Sequence, residues 1–534
     1  MASHKATLRG KAIRHELLFQ EDEEVLLPDL FLRMASPRKR LICVDRLAVL
    51  HKEGPAGADL NLLAHRLQVA GELSRDHYKM WEQKIARGAF GIVKYTKPLS
   101  FNVNRILGKG GQGMAVLLER QEQDGSQSQV VLKISTSMNG PKVEMDNLRR
   151  LAGARHIVQR LFMRQMLPEP PGRPQRVTFP AYADERWHTF PGKPLAPISA
   201  KRKAEDSIDP RFHKKAVLAL GAEEAAEHWD SNSYAYTMEY MRNGDLLEVM
   251  GKMGATGKKF RDQDLWQVFH SLFRGVVAMA YPDTWRFRMD PLKNEIPQFF
   301  ETIPLNHDED PWNTDGGMIH FDLDVQNAMV GDFDGLHAGI PIVKIGDLGL
   351  ATSFTNEDRQ DYMFMMRARR RGKAYIYVPE QNSIDWNYLW KAPILENEPV
   401  AGNFNWWTNL YQVALIMYSM ITLYFPDQPP QASQCQWTVN TRMGPKIIPI
   451  WTYGGLLCHE INATSVHSIT LREVVAWCMA VDPNNRPTLK LLARILAERC
   501  SSDEPEISAN QKLSLVELLN NPPAYVPEVA DPAS

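Results

Sequence analysis

Between Gly317 and Leu350 the chain reads GMIHFDLDVQNAMVGD, a short spacer, and then PIVKIGDLGL. Four side chains in this stretch could do chemistry: His320, Asp322, Asn327 and Asp347. A carboxylate can orient an attacking hydroxyl. Carboxylates and carboxamides are also the hard oxygen donors that suit Mg²⁺. Asp322 fits the first role, and Asn327 with Asp347 the second. Phosphoryl transfer needs both, because a hydroxyl must be aimed while a metal neutralises the phosphates. A tight loop followed by a turn between strands would bring the three side chains together.

The elements that must position them lie upstream. Gly108, Gly110 and Gly113 form a G-x-G-x-x-G run between two β-like stretches, NRIL and MAVLLER. Glycines at such a turn let backbone N–H groups approach a phosphate without Cβ interference. A rival run, Gly88-Ala89-Phe90-Gly91, has half the pattern and no lysine-bearing strand at a suitable distance. After the full run, QVVLKIS reads as an apolar strand carrying Lys133. PKVEMDNLRRLAG then places Glu144, Leu148 and Leu151 on one helical face, with Gly153 as its stop. YAYTMEYM resumes as a strand, broken by Arg242-Asn243-Gly244-Asp245. The stretch 262–281 has apolar residues every three or four positions and predicts a long helix.

At 534 residues the chain is long enough for a two-lobed enzyme with extensions. Apolar residues at 44% and charged residues at 23% are ordinary for a globular protein. A net charge of -1 gives no global pull toward nucleic acid or membrane. The five cysteines, Cys43, Cys435, Cys458, Cys478 and Cys500, form no C-x-x-C pair, which fits a reduced intracellular protein. No apolar run approaches a membrane span, and the basic N-terminus lacks an apolar signal core. The expected location is cytoplasmic, with Lys201-Arg202-Lys203 as a minimal nuclear-import cluster, and the sequon Asn462-Ala463-Thr464 is expected to stay unused. A packing helix is expected over about 58–87. Proline- and charge-rich stretches at about 167–231 and 282–315 read as insertions.

From about Asn104 to Cys500 the chain resembles a eukaryotic protein kinase domain. His320, Asp322 and Asn327 match the catalytic loop, Asp347-Leu348-Gly349 stands for Asp-Phe-Gly, and Lys133 sits where the V-A-I-K lysine does. Val378-Pro379-Glu380 stands for Ala-Pro-Glu, and DPNNRPT supplies Arg486, which in the family forms a buried pair with that glutamate. The resemblance implies an α+β, two-lobed fold with an N-terminal extension (1–100), a kinase domain (101–500) and a tail (501–534). The N-lobe would span about 101–241 and the C-lobe about 242–500. It also implies roles. Gly108, Gly110 and Gly113 would cradle phosphates, and Lys133 braced by Glu144 would grip them. Backbone groups of Glu239 and Met241 would face adenine, Asp245 would reach the ribose, Asp322 would orient the acceptor, and Asn327 and Asp347 would hold Mg²⁺.

The departures bear on mechanism. Phe321 replaces the arginine that receives an activation-loop phosphate, and Asn409 stands for the aspartate that supports the catalytic loop. Asp324 replaces the serine/threonine-kinase lysine, and Lys373 the threonine that touches it, so the two are expected to form an ion pair that returns a cation to the transferring phosphate. Arg367, Arg369, Arg370 and Arg371 make the adjoining segment basic, which would favour acidic peptides. Tyr375 and Tyr377 are candidates for autophosphorylation or for packing. Leu515, Leu518 and Leu519 fit an L-x-x-L-L string, read here as packing. The expected activity is ATP-dependent protein phosphorylation, serine or threonine before tyrosine. A pseudokinase scaffold is the alternative, and a small-molecule kinase the remote one.

Overall fold

Three nine-residue runs open the described part of the chain as an antiparallel meander: β1 (Asn102–Gly110), β2 (Gly113–Gln121) and β3 (Gln127–Ser135). In β3, Val130, Val131, Leu132 and Ile134 are all buried, so the strand is covered on both faces and reads as a near-continuous apolar run. Helix α1 (Gly140–Arg150) follows, and β4 (Arg160–Leu161) and β5 (Ala235–Glu239) complete a sheet in the order β1-β2-β3-β5-β4. The computed structural model describes residues 101–162, 235–282, 316–387 and 399–523, short breaks apart, together with Glu301 and Ile303. The expected helix over 58–87, the Gly88–Gly91 run, the 167–231 insertion and nearly all of the 282–315 one lie outside the described residues, as do Lys201-Arg202-Lys203, Tyr375 and the sequon.

Beyond the sheet the chain is mainly helical. Asp245 caps α2 (Leu246–Ala255) by accepting the Glu248 N–H at 2.9 Å. After β6 (Lys259–Phe260) comes α3 (Asp262–Ala280), one residue shorter than its periodicity predicts and buried along most of its length. Short strands β7 (Gly317–Ile319), β8 (Ala328–Val330), β9 (Val343–Ile345) and β10 (Thr352–Phe354) pair as β8 with β9 and β7 with β10. Then come α4 (Asn356–Gln360), α5 (Tyr362–Arg369), α6 (Pro379–Asn382) and α7 (Trp406–Thr422). Every residue of α7 is buried, which makes it the axis of the helical part. The chain continues through a hairpin of β11 (Ser433–Thr441) and β12 (Gly444–Thr452), then α8 (Gly455–Cys458), α9 (Ile469–Cys478) and α10 (Leu489–Cys500).

The architecture is thus mixed α+β, with one antiparallel sheet and a helical body sharing a single apolar core that runs from Val131 and Leu148 to Leu410 and Leu496. Within the expected tail, the short packing helix read around Leu515 and Leu518 is present. Strand β13 (Lys512–Leu513) pairs in parallel with β6, and α11 (Leu515–Asn520) buries Leu515 and Leu518 completely. The buried Lys512 ammonium is matched by Asp262 at 2.8 Å and Glu506 at 2.7 Å, so charge pairing as well as apolar burial ties this segment down. Among the described residues no helix is long and apolar enough to cross a membrane.

Candidate functional site

Strand β3 delivers Lys133 to the inner face of the sheet, opposite Ala115 of β2. Its Nζ lies 2.8 Å from the Glu144 carboxylate on α1 and 2.8 Å from Asp347 Oδ1. Glu144 is only 3% exposed, so the charge it carries in the interior is matched by the ammonium. Burial alone would discharge Lys133, but Glu144 and Asp347 outweigh it and hold the ammonium above its ordinary range. Burial likewise opposes ionisation of Asp347, and Lys133 reverses that, keeping the carboxyl below its usual value. Helix α1 is fixed to the Asp347 turn by Asn147, whose Nδ2 donates to the carbonyls of Leu348 at 3.0 Å and Ala351 at 2.9 Å.

The loop after β7 is held from below by Asn409 on α7. The buried carboxamide accepts the His320 N–H at 2.9 Å and donates to the Met318 carbonyl at 2.8 Å. The loss of charge at this position is therefore met by using both ends of the amide. His320 donates from Nε2 to Gly346 O at 2.9 Å and accepts the Asp322 N–H on Nδ1 at 3.3 Å, and burial lowers its pKa. Phe321 takes a left-handed φ of 62° and packs, fully buried, against Phe354 and Phe404 with ring centroids 5.9 and 5.3 Å away. Phe321 is thus held in an apolar cluster. The strained backbone turns Asp322 and Asn327 together: Asn327 Nδ2 donates to the Asp322 carbonyl and lies 3.4 Å from its Oδ2.

The expected Asp324–Lys373 pair is present, with Nζ 2.5 Å from Oδ2. Asp324 Oδ1 accepts the Gln326 and Asn327 N–H groups at 3.0 and 3.1 Å, so the same carboxylate shapes the loop and receives the lysine. Lys373 Nζ also stands 3.8 Å from Asp322 Oδ2. Burial pushes the Asp322 carboxyl up to about 7; Lys373 pulls it down, and Asp324 and Asp347 push it further up. Among the described residues, Asp322 Oδ1 is buried and has no hydrogen-bond donor. Gly372, at φ +88°, makes this docking possible: a Cβ there would lie 1.9 Å from the Phe321 carbonyl oxygen.

Gln381 braces the segment between Asp347 and Glu380. Gln381 Nε2 donates to the carbonyls of Ala368, Arg369 and Arg371 at 3.1, 3.2 and 2.9 Å. The four arginines of the basic run divide between packed and exposed positions. Arg369 stacks on Trp386 at 4.9 Å and donates to Gln381 O, and Arg371 donates to Leu350 O and Thr352 Oγ1. Arg367 and Arg370 remain exposed. Tyr377 is buried and donates to Arg370 O at 3.3 Å, which makes it a packing residue. Glu380 and Arg486 form a bidentate pair at 2.8 Å with both side chains fully buried, and Thr408 Oγ1 donates to Glu380 at 2.9 Å.

The remaining expected groups lie around this centre. Gly108 and Gly110 end β1 and Gly113 opens β2, with Gly110 facing Gly113 across the hairpin. Glu239 ends β5, and the chain leaves the sheet through a turn in which the Gly244 N–H meets Met241 O at 3.2 Å. The Glu239 carboxylate has a task the sequence does not announce: it accepts Lys344 Nζ at 2.7 Å and the Gln159 N–H at 2.7 Å, tying β5 to β9. Burial pushes the Asp245 carboxyl up to about 6, although its cap bond to α2 favours the charged form. Asn147, Gln381 and the Phe321 cluster were also missed by sequence reasoning; no short motif marks any of them.

Chemically, the centre offers an ammonium between two carboxylates, a buried carboxylate acceptor lacking a donor, and one carboxamide beside it. Among the described residues no group of three or more His, Cys, Asp and Glu could hold a metal alone. Mg²⁺ takes one or two protein oxygens, which Asn327 and Asp347 could supply, and completes its shell with phosphates and water. No protein-family model matches the chain, and no curated protein matches it.

Proposed function

We propose that this chain is a protein kinase with a two-lobed kinase-like fold, transferring the γ-phosphate of ATP to a protein hydroxyl, serine or threonine before tyrosine. The observation that carries the reading is the meeting of Lys133, Glu144 and Asp347 at 2.8 Å beside the loop that bears Asp322 and Asn327. These residues come from separate stretches of sequence, and their convergence is what phosphoryl transfer requires. In this mechanism backbone N–H groups of the Gly108–Gly113 hairpin surround the phosphates, and Lys133, braced by Glu144, pairs with them. Backbone groups of Glu239 and Met241 serve the adenine, and Asp245 the ribose. Asn327 and Asp347 would hold Mg²⁺, which neutralises phosphate charge when bound. Asp322 accepts the hydroxyl proton through the oxygen that lacks a donor among the described residues.

Lys373 replaces the loop lysine as the cation nearest Asp322, held there by Asp324. The exposed Arg367 and Arg370 favour an acidic protein substrate. The test is transfer of labelled γ-phosphate to the chain itself and to acidic and basic peptides, with Asp322→Asn as control. Transfer that disappears in the variant supports catalysis. Equal background in both, with ATP still raising the melting temperature, would mean a nucleotide-binding pseudokinase instead.

A further inference from the structure

The hairpin of β11 and β12 reaches α8 through a helix–strand contact far in sequence from the catalytic residues. Along β11, Ser433 and Cys435 are half-buried while Gln434 and Gln436 are exposed, so the first two share the inward face. Against that face lies the backbone of α8: a Cβ on Gly455 would sit 2.4 Å from Ser433 Oγ. Cys458 lies three residues after Gly455 on the same side of the helical turn, and Cys435 lies two after Ser433 on the same side of the strand. The two offsets place the Cys458 and Cys435 side chains as neighbours across this contact. Both cysteines are free and half-buried.

We propose that Cys435 and Cys458 form a peroxide-sensitive dithiol that closes to a disulfide and fastens the β11–β12 hairpin to α8. The Cys435 thiolate attacks one peroxide oxygen, giving a sulfenic acid and releasing hydroxide. The Cys458 sulfur then attacks that sulfenic sulfur, forming the S–S bond and expelling the oxygen as water. In sum, two thiols and one hydrogen peroxide give one disulfide and two waters. The order follows from the surroundings. Burial and the Glu473 carboxylate disfavour the Cys458 thiolate, which supports Cys435 as the first nucleophile.

Both sides of the contact are anchored. Arg472 of α9 donates to the carbonyls of Leu457 and His459 at 3.0 and 3.1 Å, which fixes α8. Thr452 Oγ1 donates to Ala476 O at 2.6 Å, which fixes the end of β12. What the bond adds is a tie at β11, the strand whose base is otherwise held through β12.

The experiment treats the reduced full-length chain with equimolar hydrogen peroxide and reads intact mass and non-reducing peptide maps. The expected product has lost two hydrogens, carries a Cys435–Cys458 cross-linked peptide and returns to the starting mass with dithiothreitol. Cys458→Ser should give a sulfenic acid trapped by dimedone at Cys435, whereas Cys435→Ser should give no dimedone adduct at Cys458. Unchanged melting temperatures of both serine variants keep the test independent of folding. Both thiols remaining open to alkylation after peroxide, or dimedone labelling at Cys458 first, would overturn the proposal.

Discussion

The charge pair beneath the catalytic loop can be isolated by a neutralising cycle of Asp324→Asn, Lys373→Met and both together. Asparagine keeps the Oδ1 that receives the Gln326 and Asn327 N–H groups at 3.0 and 3.1 Å, so the variant removes the charge and spares the loop bonds. Methionine keeps most of the lysine stem. At 2.5 Å and an effective dielectric of about 20 the gross attraction is about 6–7 kcal/mol. Desolvation takes most of this back, because the Asp324 side chain is 3% exposed and that of Lys373 32%. A coupling of about 2 kcal/mol is expected, within the range found for neighbouring charges in contact.

Melting temperature reads that coupling in the fold, and kcat/KM reads it as a roughly 30-fold departure from multiplicative loss. A further readout separates electrostatics from mere support. Lys373 lowers the Asp322 pKa and Asp324 raises it. The acid limb of the pH–rate profile, near 7 for the parent chain, should therefore move up in Lys373→Met and down in Asp324→Asn. Losses that add to within about 0.5 kcal/mol, or limbs that move the same way, would refute the pairing argument.

Other expectations follow from the same geometry. Replacing Asp322 by Asn should raise the melting temperature at pH 8 and leave it nearly unchanged at pH 4. The Asp322 carboxyl titrates near 7 when folded, against the ordinary 3.8 when unfolded. Between those values the folded state binds the extra proton, so this group costs stability as pH rises, by about 4 kcal/mol at most above 7; an equal shift at both pH values would contradict the burial argument. Asn409→Asp should destabilise by about 2–4 kcal/mol, measured by thermal melting, because a buried carboxylate would meet the Met318 carbonyl now 2.8 Å from Nδ2. Gly372→Ala combines a left-handed φ with a contact of 1.9 Å to Phe321 O, so it should undock its segment and expose the Arg367–Arg371 bonds to trypsin. Unchanged digestion would show that the segment docks by other means.

Groups tied to local spacing were legible in the sequence. Lys133, Glu144, Asp322, Asn327 and Asp347 converge as their motifs suggest, and α3 ends one residue from its predicted limit. Asp324 and Lys373 were legible as a pair because opposite charges replace two residues that touch in the family. The β11–β12 hairpin was not. Pro445 and Pro449 lie within β12, and prolines argue against a strand unless it has an open edge, as each strand of a two-stranded ribbon does. The Phe321 cluster draws on Phe354 and Phe404, and the seat of the C-terminal segment on Asp262 and Asp264. Such partners are set by tertiary packing, and no periodicity encodes them.

Two of these departures have a joint consequence on the proposed reading. With Phe321 in an apolar cluster, no arginine at that position can receive a phosphate from the neighbouring segment. Yet the cation beside Asp322 now comes from that segment, since Lys373 follows directly on Gly372 and reaches Asp324 at 2.5 Å. Docking the segment and completing the site therefore become one event. Gln381, Arg371 and the close approach of Gly372 to Phe321 O stabilise the docked state beside the Lys373–Asp324 pair. Gln381→Leu removes three carbonyl partners at once, so it should lower phosphoryl transfer about as much as Lys373→Met does. In the Lys373→Met background it should add little, because the cation is already gone. Full additivity of the two would separate docking from catalysis and break this link.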